Sequence, residues 1–267
     1  SIDFNGIEEI PYAIFGNCRV PETLCIPNYV EEISDLAFVK CSGLKNLIFE
    51  EETKISVIGN YSFAECKDLE RVEFKKAYAD TSCIISEGAF IGCNGLNDVL
   101  VDEQFVLTSI GDYAFTKRTT PSTPIKFNCS SEYDILIPSD VVFVGKFAFS
   151  GIDNNSFSDI YPKQNPTRST PQTSGFSISF EKNSMLITLS QDSFAISNLT
   201  KVDLSNCSKI ESIIGFTTPK QLVLPTGDNL TSIVLVSVDP AKDVELQSIC
   251  IPKSVRSLSG LVYQNVS

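Results

Sequence analysis

Apolar residues recur along this chain in a pattern that repeats every 23 to 27 residues over its first half. The pattern begins with an apolar residue five positions before an aromatic one. The eight pairs are Ile10/Phe15, Ile33/Phe38, Ile58/Phe63, Ile85/Phe90, Ile110/Phe115, Val144/Phe149, Leu189/Phe194 and Leu258/Tyr263. Successive aromatic residues are 23, 25, 27, 25, 34, 45 and 69 positions apart, and the last two steps are close to two and three repeats. The sequence therefore predicts a tandem repeat.

A second apolar signature, at positions i, i+3 and i+5, follows the aromatic residue. It occurs at Leu44/Leu47/Phe49, Leu69/Val72/Phe74, Leu96/Val99/Val101 and Leu199/Val202/Leu204, and more loosely at Leu230/Ile233/Leu235 and Leu246/Ile249/Ile251. One residue separates the apolar positions i+3 and i+5, and it would face the other side of a strand. The signature therefore predicts a strand with one buried face. Proline, which lacks an N–H donor, follows several of these strands, at Pro27, Pro138, Pro225 and Pro252.

The segments between these strands are too short for helices of ordinary length. Each repeat is therefore expected to be a strand, a turn and an extended return, and one such coil can bury its apolar face only against its neighbours. We predict a mainly β, curved solenoid of short strands with few or no long helices, formed by residues 1–267 as a single domain. Two segments, 117–131 and 151–175, interrupt the repeat and are predicted to be surface loops.

The order of strand, Pro, Ile-Gly, Ala-Phe, Cys and Leu resembles the BspA-type leucine-rich repeat. The clearest matches are residues 30–49, 55–74 and 107–115, and Arg118 departs from the pattern because it occupies the Cys position. The resemblance covers residues 7–115 well, 135–150 and 186–204 moderately, and 208–267 loosely. It implies a cell-surface or secreted, extracellular protein of commensal bacteria or protozoan parasites, with a role in adhesion to host matrix proteins or to other cells. It implies no catalytic residues.

Charge and composition exclude several classes of function. The chain has 21 Lys and Arg against 33 Asp and Glu, a formal net charge of −12, which disfavours nucleic acid and anionic membranes as partners. No run of eighteen apolar residues occurs, so membrane insertion is not expected. Histidine is absent, which rules out Ser-His and Cys-His nucleophiles and Cys/His zinc sites. We predict no enzymatic activity, no metal and no cofactor.

Two repeated columns of residues look chemically active but are better explained as core. The aromatic column could be a stacking platform for bases or sugars, yet its fixed distance from the apolar anchors favours a buried spine. Cysteine lies three positions after the first four aromatic residues, at Cys18, Cys41, Cys66 and Cys93. A thiol suits a buried turn, so these four are expected to be reduced and inert. Disulfides between neighbouring coils remain an alternative.

Candidate binding residues are the outward positions between the inward ones of each strand. They are Cys25, Ile48, Glu73, Leu100, Leu136, Asp203, Val223 and Val234, with Cys250 as a further outward cysteine. Apolar side chains on an exposed sheet face indicate a partner site, although aliphatic residues also favour strands for their own sake. Charged neighbours would supply a polar rim, and they are Glu50, Arg71, Lys75, Asp98 and Asp102.

The leading hypothesis is a non-enzymatic module that binds a host matrix or cell-surface protein. The alternative is a structural spacer or stalk that presents another domain of a longer chain. Carbohydrate binding is a third possibility, which the absence of tryptophan weakens.

Overall fold

The protein folds into stacked β-coils whose strands form two large parallel sheets. The computed structural model describes residues 2–118, 125–150, 157–158, 161–162, 176–190, 192–194, 199–217, 219–236, 249 and 251–261. Within these ranges every regular element is a strand. The predicted mainly β solenoid is therefore confirmed.

Nine strands form the first sheet, in the spatial order β19-β17-β15-β11-β10-β8-β6-β4-β2. Their bounds are β2 (Thr23–Ile26), β4 (Asn46–Phe49), β6 (Arg71–Phe74), β8 (Asp98–Val101), β10 (Lys126–Phe127), β11 (Ile135–Ile137), β15 (Phe176–Phe180), β17 (Leu199–Asp203) and β19 (Gln221–Val223).

Ten strands form the second sheet, and they pair in chain order. Their bounds are β1 (Glu9–Ile10), β3 (Glu32–Ile33), β5 (Val57–Ile58), β7 (Ser82–Ile85), β9 (Val106–Ile110), β12 (Phe143–Val144), β16 (Thr188–Leu189), β18 (Ser212–Thr217), β20 (Ser232–Val236) and β21 (Ser257–Leu261). From β1 to β9 the chain alternates between the two sheets, so each coil adds one strand to each.

The register between coils stacks equivalent repeat positions on one another. Leu24 pairs with Leu47, Leu47 with Val72, and Val72 with Val99, and all four side chains are buried. Because side chains alternate between the two faces of a strand, this register keeps these inward residues in the core and directs the intervening residues to the outer face.

The predicted aromatic spine is confirmed. Seven rings stack in series, with successive centroids 5.0–5.5 Å apart and ring planes within 17° of parallel. They belong to Phe15, Phe38, Phe63, Phe90, Phe115, Phe149 and Phe194. Such offset stacking adds to the stabilisation that burial of each ring already provides.

The cysteine column lies beside this spine. The thiols of Cys66 and Cys93 donate hydrogen bonds of 3.1 Å to the carbonyl oxygens of Phe38 and Phe63, in the preceding coil. Burial raises the pKa of Cys66 well above its ordinary value, so this thiol stays neutral and unreactive. The expectation of a buried turn position was wrong for Cys18, which is exposed because no described coil packs against its outer side.

A second apolar cluster lies outside the main core, on the turns that carry the spine. Residues two positions before each spine ring have left-handed backbones, with φ of 54–59° at Leu36, Tyr61, Tyr113 and Phe147. These side chains pack with those of Val39, Ala64 and Ile91 in the neighbouring turns. A non-glycine residue in this conformation costs on the order of 1–3 kcal/mol, which the packing offsets.

Both predicted loop segments contain strands. Within 117–131, Ile125 and Phe127 are buried and β10 joins the nine-stranded sheet between β8 and β11. The alternation in Ile-Lys-Phe is itself a strand signal, so the loop prediction was wrong for these residues. Within 151–175, Phe157–Ser158 (β13) and Tyr161–Pro162 (β14) form an antiparallel pair, and the rest of that segment lies outside the described residues.

Candidate partner-binding surface

Seven of the eight predicted binding residues lie on the outward face of the nine-stranded sheet. Cys25, Ile48, Glu73 and Leu100 are consecutive partners on β2, β4, β6 and β8. Leu136 and Asp203 lie on β11 and β17, and Val223 is the next partner of Asp203 on β19. Cys25 is exposed and the other six are half-buried. The strands therefore bring these side chains into one column, which we call the outward column.

The outward column is more polar than the sequence predicted. Ser179 lies between Leu136 and Asp203, because it pairs with both. Asn128 follows β10 directly, where the column crosses from Leu100 to Leu136. Sequence reasoning missed both residues, although Ser179 alternates with Ile178 and Phe180 and could have been found by its period of two. The result is an apolar column interrupted by hydrogen-bonding side chains, as in protein interfaces generally.

Val234 does not belong to the outward column, and its predicted placement was wrong. It lies on β20 in the ten-stranded sheet, where its partners are Ile214 and Ser259. In earlier coils, an aromatic residue at a fixed distance distinguishes strands of the ten-stranded sheet from those of the nine-stranded sheet. No aromatic residue lies at that distance near Val234. Cys250 lies outside the described residues.

The ten-stranded sheet carries apolar outward residues that sequence reasoning did not find. Val57 pairs with Ile84, Ile84 with Ser109, and Ser109 with Phe143, so these residues form one column across neighbouring strands. Ile84 is 40% exposed. The alternation of these residues with inward ones is the signal that could have identified them. The two faces can therefore be compared directly in a binding experiment.

Charged side chains of alternating sign lie beside the outward column. Arg71, Asp98 and Lys126 are register partners on three neighbouring strands. The Arg71 guanidinium lies 3.8 Å from the Glu73 carboxylate, with both side chains partly exposed. Exposed pairs of this kind contribute little to stability, so their main effect is on which partner the surface accepts.

A cleft of about 660 Å³ opens at the C-terminal end of the outward column. Its floor includes Leu136, Ser179 and Asp203, and one wall is formed by residues 130–133. This wall exists because β10 and β11 are parallel neighbours joined only by residues 128–134. The short return between them passes over the outer face of the sheet, where the carbonyl of Glu132 accepts a hydrogen bond from the Ser177 hydroxyl.

A hydrogen-bond network fixes the tip of this wall to β17. The Lys201 ammonium donates to the Tyr133 hydroxyl at 2.8 Å, and that hydroxyl donates to Asp203 Oδ2 at 2.9 Å. The same ammonium lies 3.5 Å from the Asp203 carboxylate and 4.7 Å from the centroid of the Tyr133 ring. The contact with Tyr133 raises the pKa of Lys201. Partial burial of Asp203 acts to raise its pKa, but hydrogen bonds from Ser205 and Tyr133 outweigh it and lower the pKa.

The described residues offer little for metal or membrane chemistry. Nowhere in the described ranges do three or more His, Cys, Asp or Glu side chains come together as a metal site. No helix suited to crossing a membrane is found in the part of the chain that the structure describes.

Comparison with known proteins identifies the repeat. The sequence model of the "BspA type Leucine rich repeat region" matches residues 1–121 and 77–167 in six copies. A solved leucine-rich repeat protein from Bacteroides ovatus is 18% identical over 95% of this chain and 60% of its own, with a TM-score of 0.46. A leucine rich cell surface protein from Faecalibacterium prausnitzii is 17% identical over 96% of this chain and 83% of its own, with a TM-score of 0.35. No curated protein matches the chain.

The present chain thus spans about three fifths of the length of the Bacteroides ovatus protein. The two matched ranges of the family together cover residues 1–167, which is more than half of the 267 residues. The chain therefore belongs to the BspA-type leucine-rich-repeat family.

Proposed function

We propose that this leucine-rich-repeat module binds a protein partner through the outward column, and that it serves in adhesion to host matrix or cell-surface proteins. The observation that supports this most is the register that brings Ile48, Leu100 and Leu136 onto one sheet face beside polar and charged side chains. Half-buried aliphatic side chains in a polar surround are a common composition of non-obligate interfaces.

Location and chemistry are part of the same proposal. Membership of the BspA-type family, and the description of one structural neighbour as a cell surface protein, support an extracellular or cell-surface location. The absence of histidine from the sequence supports a non-enzymatic role, since it removes the usual general base of hydrolases.

Solid-phase binding of the purified chain to immobilised collagen, laminin and fibronectin, and to epithelial cell layers, tests this proposal. The triple variant Ile48→Lys, Leu100→Lys, Leu136→Lys places three ammonium groups on the outward column without touching the core. We expect it to weaken binding at least tenfold, because each Lys would have to be desolvated at the interface.

The matched control is the triple variant Val57→Lys, Ile84→Lys, Phe143→Lys on the ten-stranded sheet. It introduces the same charge on the opposite sheet and should bind as the unchanged chain does. Loss of binding in the control but not in the first variant would assign the interface to the ten-stranded sheet and contradict the proposal.

A spacer role is the second candidate, and the aromatic stack from Phe15 to Phe194 favours it, since one ring per coil stiffens that stretch of the array along its axis. A spacer needs no partner. Failure of the unchanged chain to bind any of these matrix proteins or cells would therefore support the spacer.

A further inference from the structure

The cleft beside Tyr133 presents carboxylates that are already held in position. Asp203 accepts hydrogen bonds from the Ser205 backbone N–H at 3.1 Å and from the Tyr133 hydroxyl at 2.9 Å. Glu181 accepts from the Asn128 side-chain amide at 3.2 Å and from the Ser139 backbone N–H at 3.1 Å. Each Glu181 oxygen accepts one of these bonds and keeps a second lone pair for a ligand donor, whereas Asp203 Oδ2 is already shared by Tyr133 and Lys201. Acceptors that are fixed before binding lose little entropy when a ligand arrives.

Hydroxyl and amide groups complete the lining. Ser131, Ser179 and Ser205 line the cleft together with Asn206. The Asn206 amide donates to the Phe180 carbonyl at 2.8 Å, which orients its Oδ1 atom. The Ser205 hydroxyl hydrogen-bonds the Asp203 carboxylate and so helps to lower its pKa. The cleft thus combines fixed acceptors with groups that can both donate and accept.

The charge of the cleft favours a neutral ligand. Glu132, Glu181 and Asp203 face two ammonium groups, those of Lys182 in the lining and Lys201 beside it. Asp203 is already paired with Lys201 at 3.5 Å, which removes most of its attraction for a cation. A carboxylate or sulfate ligand would meet the remaining net negative charge.

The shape and apolar surface of the cleft also fit a small polyhydroxylated ring. Its volume of about 660 Å³ lies within the range of roughly 300–1,000 Å³ that small-ligand sites occupy. Leu136 and the half-buried ring of Tyr133 supply apolar contact for C–H faces, and the polar groups surround them. The sequence contains no tryptophan, so Tyr133 provides the aromatic contact for a sugar ring.

We propose that this cleft binds a neutral saccharide, whose hydroxyl groups donate to Glu181 and whose ring packs on Leu136 and on Tyr133, which Asp203 holds in place. This site is separate in kind from the proposed protein interface, although Leu136, Ser179 and Asp203 belong to both.

The test uses the full chain, a glycan array that includes neutral, sialylated and sulfated glycans, and titration by isothermal calorimetry with the best neutral trisaccharide. Ser205→Trp fills the cleft from an exposed turn, and Tyr133→Phe removes the hydroxyl that holds Asp203. The matched control, Ser82→Trp, places the same ring on an exposed strand position of the ten-stranded sheet. Circular dichroism verifies that all three variants fold.

We expect neutral glycans to bind, Ser205→Trp to lose at least tenfold in affinity, Tyr133→Phe to lose several-fold, and Ser82→Trp to bind as the unchanged chain does. The proposal is overturned if no neutral glycan binds, if only charged glycans bind, or if Ser205→Trp binds as tightly as Ser82→Trp.

The variant Ile48→Lys, Leu100→Lys leaves the cleft untouched and separates the two proposals. Loss of matrix-protein binding with retained glycan binding supports both. If Ser205→Trp abolished protein binding while no glycan bound, the cleft would be part of the protein interface and the saccharide proposal would be overturned.

Discussion

A phenylalanine in the middle of the spine contacts an aromatic ring on each side, whereas the first one is only partly covered. Phe90 lies between Phe63 and Phe115, with centroids 5.3 and 5.2 Å away, and is almost fully buried. Phe15 stacks on Phe38 at 5.0 Å, meets Phe4 edge-on, and is partly exposed. The contribution of a spine ring to stability should therefore depend on its place in the stack.

Phe90→Ala is expected to lower the free energy of unfolding by about 3–5 kcal/mol, because it leaves a ring-sized cavity between two rings. Phe15→Ala should cost about half as much or less, since solvent already reaches that ring. Urea unfolding followed by circular dichroism measures both. Equal losses in the two variants would mean that stacking between coils contributes nothing beyond local burial.

At the scale of single residues, the sequence predicted burial correctly where repeat spacing or strand alternation was present, as for Phe90 and Leu47. It could not place Tyr61 and Tyr113, because a bulky side chain at positive φ contradicts the usual preference for glycine. It could not relate Tyr133 to Asp203 either, since 70 residues separate them and only the fold brings them together. Its assignment of Asp203 to a binding face gave no hint of a cleft.

At the scale of elements, the repeated turn sets the closest packing between coils. The turn position two before the spine ring is occupied by Tyr61 in one coil and by Gly88 in the next, with φ of 55° and 59°. A Cβ atom on Gly88 would lie 2.4 Å from Cε1 of the Tyr61 ring, far inside van der Waals contact. Tyr61 is buried, so its ring has little room to move away.

Gly88→Ala should therefore destabilise the protein through both backbone strain and collision. The control is Gly6→Ala, because Gly6 also has positive φ, of 75°, but its Cβ would meet nothing within 4 Å. We expect Gly6→Ala to cost about 1–2 kcal/mol from the left-handed backbone alone, and Gly88→Ala to cost clearly more. Thermal and urea unfolding of the two variants measure the difference.

The double variant Gly88→Ala, Tyr61→Ala separates the two causes for Gly88. Removing the ring removes the collision but leaves the strain, so the added alanine should then cost about what it costs at Gly6. If the cost of Gly88→Ala were the same with and without the Tyr61 ring, packing of this turn cluster would not be the reason for the glycine.

Element boundaries show where sequence patterns stop being sufficient. The repeat predicted β4, β6 and β8 because each has a buried partner on both sides and therefore a clear alternation. It missed β10, because the alternation of Ile125, Lys126 and Phe127 spans only three residues and lies within polar sequence. It also assigned Val234 to the wrong sheet, since the strands of both sheets alternate in the same way and only the distance to a spine ring tells them apart.

At the scale of the whole molecule, the two ends of the array differ. In several later coils a backbone N–H just after a strand donates to the preceding coil, as Ser34 does to Ile10 and Glu50 does to Ile26. The equivalent residues of the first coil are Pro11 and Pro27, which have no such donor. At these places proline leaves β1 and β2 without that donor.

Ring stacking in the described residues ends at Phe194. In the following coils, Ile213 and Ile233 continue the buried column of Leu189, which precedes the last spine ring by five positions. Leu258, which pairs with Ile233 on the last strand, is 56% exposed, and Ile214 is 51% exposed. Because each coil is stabilised mainly by its neighbours, local stability should follow local burial along the array.

Hydrogen exchange followed by mass spectrometry tests this difference, with Phe194→Ala as the perturbation. In the unchanged chain we expect amides of β18 and β20 to exchange at least tenfold faster than those of β4 and β6, because opening the C-terminal coils uncovers less apolar surface. Phe194→Ala should speed exchange further in β16 and β18 while leaving β4 unchanged, as nearest-neighbour stacking requires. Equal acceleration in β4 and β18 would instead mean that the array opens as one cooperative unit, so that differences in local burial do not localise unfolding to the C-terminal coils.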